Sequence, residues 1–209
     1  MSRTISSTMS LVDLNLDVLD TIVSLLSSAD ALRLSATARG LYSIAIRQAT
    51  LDVRLNGPWR CLTFCYFVAK GPARVSSMRS LAVGHRAYKF PDIWHIANGD
   101  LICAAFVRTL EHATKLRCID LSCAEIILAD TRLASALANL LYLEDITLDD
   151  IGDTALTVLS QLRSKPRRLE ISMLHDIKIT MSIIPSNLQP EEFYFHGRYR
   201  DDTAGVLGR

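Results

Sequence analysis

No run of this 209-residue sequence approaches the roughly 18 consecutive apolar residues that a membrane-spanning helix requires. Leu101–Val107 is among the longest, so no membrane partner is expected. The opening MSRTISSTMS lacks the apolar core of a secretory signal, which points to an intracellular protein of the cytoplasm, the nucleus or both. Cysteine is sparse and odd in number, so Cys61, Cys65, Cys103, Cys118 and Cys123 do not read as a secreted disulfide framework. Cys61 and Cys65 sit i, i+4 on a predicted helix, yet no His or Cys stands at a matching zinc spacing. The five are therefore read as small buried hydrophobes, with no metal expected.

An excess of either charge is also missing. Formal net charge is +1, so no global field draws the chain to nucleic acid, which is not an expected partner. The small cluster Lys165, Arg167 and Arg168 reads as solvated surface. Catalytic signatures are absent: there is no G-x-S-x-G, H-E-x-x-H, G-x-x-x-x-G-K or G-x-G-x-x-G. His85, His95, His112, His175 and His196 have no Ser, Cys or carboxylate constellation around them in sequence. Neither catalysis nor a cofactor is expected. Apolar residues make up 49% and charged residues 22%, ordinary globular proportions that exclude wholesale disorder.

What the chain does have is leucine, 31 in all, and a recurring frame. Apolar residues at positions 1, 4 and 6 appear as Met78, Leu81, Val83, as Leu116, Ile119, Leu121, and as Leu143, Ile146, Leu148. Weaker copies are Pro166, Leu169, Ile171 and Pro190, Phe193, Phe195, while Val53 and Leu55 supply positions 4 and 6 of an earlier one. From Val53 the fourth-position residues are spaced by 28, 38, 27, 23 and 24. The long interval implies an insertion between residues 84 and 115.

Helical stretches follow the strand-like ones. Asp100 precedes Leu101, Ile102, Ala105, Phe106 and Leu110, which share one face at helical periodicity. Asp130 and Thr131 precede Leu133, Leu137 and Leu140, and Asp153 and Thr154 precede Leu156, Leu159 and Leu162. Asp and Thr there can accept hydrogen bonds from the first helical amides. The connection from Lys178 to Gln189 contains Pro185 and predicts a short turn. One strand and one helix cannot bury an apolar face alone, but stacked copies share a continuous core. The pattern resembles the leucine-rich repeat family over residues 50–196, in an α/β solenoid with parallel strands on the concave side and helices on the convex side. It departs from that family at position 9, where Asn or Cys gives way to Arg86, Ala124, Ile151 and Leu174.

Ahead of the repeats, Val18, Leu19, Ile22, Leu25 and Leu26 describe one helix, broken at Ser27, Ser28 and Ala29. Ser27 and Asp30 form a capping-box match opening a second helix through Leu32 and Leu34. Gly40 is expected to interrupt, with a third helix carrying Leu41, Ile44 and Ala45. A unit of about 35 residues buries too little surface to stand without outside support.

These residues carry a resemblance. Leu14-x-Leu16-Asp17-Val18-Leu19-x-x-Ile22-x-x-Leu25-Leu26, then Asp30-Ala31-Leu32-x-Leu34-Ser35-x-Thr37-x-Arg39, resembles an F-box. Asn15 stands where many F-boxes have proline. Phe64, Cys65, Phe67 and Val68, Met78-Arg79-Ser80-Leu81, and Leu121-Ser122-Cys123-Ala124-Glu125 are similar to segments of fungal F-box proteins with degenerate leucine-rich repeats. The expected organisation is a disordered tail over 1–10, a three-helix F-box over 11–49, degenerate leucine-rich repeats over 50–196 and a polar tail over 197–209.

The likeness implies a non-enzymatic substrate adaptor of a Skp–cullin–F-box type ubiquitin ligase. The F-box docks a Skp-type linker, and through it a cullin–RING scaffold, while the repeats hold a protein target. Leu14, Leu16, Val18, Leu19, Ile22, Leu25, Leu32 and Leu34 are the candidate linker contacts, about half of them expected in the unit's own small core. Strand positions alternating away from the repeat core are the candidate target contacts: Asp120, Asp145, Thr147, Asp149, Arg168, Glu170, Glu192 and Tyr194. That face is acidic on balance and suits a basic target. The alternative is a repeat-based binding module whose F-box-like helices only cap the solenoid.

Overall fold

The computed structural model describes residues 11–84, 99–173, 185 and 188–197. The expected tails at 1–10 and beyond 197, most of the connection at 178–189, His85, His95 and His175, and the position-9 residues Arg86 and Leu174 lie outside the described residues. The chain forms two compact units, Met1–Val53 and Arg54–Arg209.

The first unit opens with a 3-10 turn at Leu11–Asp13 and continues as α1 (Leu16–Ser24), α2 (Ser28–Ser35) and α3 (Arg39–Ala49). Local chemistry sets these bounds. Asn15 caps α1 by accepting from the Asp17 amide at 3.1 Å. Ser27 caps α2 by accepting from the Asp30 amide at 3.2 Å, and its hydroxyl donates to the Asp30 carboxylate at 2.7 Å. The expected interruption at Gly40 is not found. Gly40 is the second residue of α3, which begins after Ala38 in extended conformation, so the break falls at Ala36–Ala38.

The second unit is an α/β layer built on a parallel sheet. Its strands are β1 (Asp52–Leu55, which straddles the division), β2 (Ser80–Val83), β3 (Cys118–Leu121), β4 (Asp145–Ile151), β5 (Arg168–Met173) and β6 (Glu192–Gly197). They stand in chain order across a six-stranded sheet. The intervening helices are α4 (Pro58–Ala69), α5 (Gly99–His112, inside the expected insertion), α6 (Ala124–Leu128), α7 (Thr131–Ala138) and α8 (Asp153–Ser160). Parallel neighbours need such crossovers.

Register follows the apolar frame. Leu81, Ile119, Ile146, Leu169 and Phe193 are successive partners, as are Val83, Leu121, Leu148, Ile171 and Phe195. Through Ile171 these side chains are buried, with Ile102, Phe106, Leu133, Leu137, Val158 and Leu159 from the helices. The helices contact one another in order, α4 on α5, α5 on α7 and α7 on α8. Phe64 and Phe106 join α4 to α5 at a ring separation of 6.3 Å.

A backbone ladder holds the strand starts in step. The Arg79 carbonyl accepts from the Arg117 and Cys118 amides at 2.9 Å each, and the Arg117 carbonyl from Glu144 and Asp145 at 2.7 and 3.0 Å. The Glu144 carbonyl does the same for Arg167 and Arg168, at 2.8 and 3.0 Å. Side chains repeat the step between β3 and β4: Cys118 Sγ donates to Asp145 at 3.3 Å, and Cys123 Sγ to Asp150 at 3.6 Å. Cys123 and Asp150 both adopt left-handed backbone, φ 60° and 56°, each two residues beyond the register partners Leu121 and Leu148.

Two helix starts divide the expected caps. Asp130 caps α7, accepting from the Arg132 amide at 2.9 Å. At α8 Asp153 is instead the first helical residue, Gly152 holds the cap position, and no local side chain closes the end.

Candidate functional site

Two surfaces carry the candidate residues, one on each unit. In the first unit α3 packs against both α1 and α2. Leu19, Val23, Ala31, Leu41, Ala45 and Ile46 are buried, and the small Ala31 and Ala45 let helices approach closely. Gln48 Nε2 donates to the Ser24 and Leu26 carbonyls at 3.2 and 3.1 Å, satisfying acceptors left open where α1 ends. Arg47 pairs with Asp20 across the same junction.

That small core leaves much apolar surface uncovered. Among the eight candidate linker residues, Leu25 is 83% exposed, Leu16 67% and Leu32 54%, and Val18 and Ile22 are exposed as well. Leu14 and Leu34 are half-buried. Leu19 differs: at 3% exposure it belongs to the core, so a charge there would report on folding and not on docking. Leu11, Val12 and Tyr42, which the sequence pattern passed over, add exposed apolar surface on the same unit. A large share of this small unit's apolar side chains thus faces solvent, as at contact sites of soluble proteins.

In the second unit the sheet brings the eight candidate target residues onto the face opposite its buried apolar frame. Asp145, Arg168 and Glu192 are register partners in one row, and Asp120, Thr147, Glu170 and Tyr194 in the next. Asp149 follows on β4, where its Oδ1 accepts from Ser172 Oγ at 2.8 Å. Arg168 Nη2 donates to Glu170 Oε2 at 3.0 Å, and its guanidinium lies 5.0 Å from the Tyr194 ring centre. His196 Nε2 is 3.4 Å from Glu170 Oε1, and the Tyr194 hydroxyl donates to Glu192 at 3.4 Å.

The chain matches no protein-family model, no curated protein and no solved structure.

Among the described residues, carboxylates outnumber the arginines Arg168 and Arg54 on this face, and the imbalance is felt at Asp120. Partial desolvation on the sheet, followed by the like charges of Asp149 and Glu170, pushes its carboxyl above the usual aspartate range, with Arg54 opposing. Arg54, Ser172 and His196 were not among the sequence candidates. The signal for them was present, because each occupies an outward position in the same alternating frame. The basic cluster at 165–168 is split by that alternation: Arg168 lies on the sheet face, while Arg167 Nε reaches Glu191 at 3.3 Å.

Proposed function

We propose that the chain is a substrate-recognition adaptor of a Skp–cullin–F-box type ubiquitin ligase. In this reading α1–α3 form the F-box, which docks a Skp-type linker and through it a cullin–RING scaffold. The strands and helices that follow form a short leucine-rich-repeat array, strands concave and helices convex, which holds a protein target. The chain makes and breaks no bonds; it raises the target's local concentration beside the ubiquitin donor.

The observation that carries the reading is the exposure of Leu16, Val18, Ile22, Leu25 and Leu32 on a helical unit whose own core needs few of its leucines. Burying such a side chain fully is worth about 1.5–3 kcal/mol, so a handful suffices to anchor an interface. The regular strand register and its carbonyl ladder support the array.

Co-expression with a Skp-type linker tests the proposal. A stoichiometric complex lost on Leu25→Asp with Leu32→Asp supports the adaptor. A soluble chain indifferent to the linker favours a binding module in which the N-terminal helices serve as a cap.

A further inference from the structure

A net charge near zero conceals a local excess. A groove of about 820 Å³ runs along the N-terminal ends of the strands in the second unit. Arg79, which precedes β2, Lys115 and Arg117, which precede β3, and Arg163 and Lys165, which precede β5, all line it. They are far apart in the sequence and meet because the carbonyl ladder draws successive strand starts together. The one carboxylate of the lining, Glu144, is engaged by Arg117 at 2.7 Å. Among the described residues, Arg79, Lys115, Arg163 and Lys165 have no carboxylate within ion-pair distance. Solvated surfaces normally intersperse the two signs. Beside these cations lie Leu141 and Tyr142, 57% and 64% exposed.

We propose that this groove docks an acidic segment of a partner protein, with its carboxylates on the cations and an apolar side chain against Leu141 and Tyr142. Neighbouring strands are about 4.8 Å apart, so the ends of four of them span roughly 14 Å, the reach of four or five extended residues. The groove is thus matched to a short peptide run. A nucleic acid fits less well, because the carboxylates of the sheet face repel a long polyanion. The proposal concerns the sheet-bearing unit alone and stands whether or not the N-terminal helices dock a linker.

The test is fluorescence anisotropy on the full chain with a short fluorescein-labelled peptide of glutamates flanking one leucine. Saturable binding that weakens with added salt is expected, and Lys115→Glu with Arg163→Glu weakens it at least about tenfold. Arg60→Glu with Lys70→Glu makes the same change in net charge outside the groove and leaves binding within about twofold. The swap Lys115→Arg with Arg163→Lys keeps the charges and retains binding, which separates loss of the site from loss of the fold. No saturable binding overturns the proposal, and so does equal weakening by the two charge-reversed doubles. Equal affinity for a serine-for-glutamate peptide, or tighter groove-dependent binding of a single-stranded RNA, overturns it too.

Discussion

The Glu125 carboxylate accepts the Gly152 amide at 2.8 Å, closing the N-terminus of a helix that lies one strand further along the sheet. The same side chain takes the Thr154 and Ala155 amides, each at 3.0 Å. Three amide donors at the start of α8 are therefore satisfied from the preceding strand–helix segment, where its own sequence offers no cap.

Removing that carboxylate uncouples two neighbouring strand–helix segments of the second unit. Glu125→Ala is expected to cost about 0.5–2 kcal/mol, the range of a lost helix cap, in denaturant unfolding. Desolvation opposes ionisation of Glu125, but its bonds to Thr154, Ala155 and Gly152 outweigh it and hold the carboxyl below the usual glutamate range. The stabilisation is thus present above the unfolded-state pKa and lost as pH falls through the lower folded value. An unfolding series from pH 6 down to 3 should steepen for wild type relative to Glu125→Gln.

Asp120 behaves in the opposite sense. Its raised pKa means that the charged form is penalised in the fold, so stability is lost as pH rises through the folded value. Asp120→Asn is expected to raise the melting temperature at neutral pH slightly, by less than about 1 kcal/mol equivalent for so exposed a group. The gain should shrink as pH falls below the folded pKa, and shrink again in high salt.

Thiol chemistry offers a third check. Burial pushes Cys61 and Cys65 up to about 12 and Cys103 up to about 11, so they remain neutral thiols at pH 8. Cys118 is half-buried and the other four are buried. In a native titration with a thiol reagent, Cys118 should react first, with the rest appearing at the rate of unfolding.

The frame of the sheet was legible because two independent periods agree. Alternation along each strand and the spacing between fourth-position residues both identify Leu81, Ile119, Ile146 and Leu169 as inward partners. Legibility failed where contacts join segments far apart in the sequence. Glu125 looks like an ordinary helix residue until stacking sets it against Gly152. The cations of the groove meet only when strand starts align, so a local charge count misses them. In α1 both faces are apolar, and periodicity alone did not separate buried Leu19 from exposed Leu16 and Leu25.

That separation makes a stability contrast. Leu19→Ala should cost about 2–5 kcal/mol by opening a cavity in a small core. Leu25→Asp, at a site 83% exposed, should stay within about 0.5 kcal/mol. Thermal melts of the two variants check it.

The adaptor proposal is tested most directly by calorimetric titration of the full chain with a purified Skp-type linker. Wild type is predicted to bind with one-to-one stoichiometry and a negative heat-capacity change, the mark of buried apolar surface. Leu25→Asp with Leu32→Asp, still folded by its melt, is predicted to lose at least about a hundredfold in affinity. Absence of binding by wild type, or unchanged affinity in the double variant, would contradict the account.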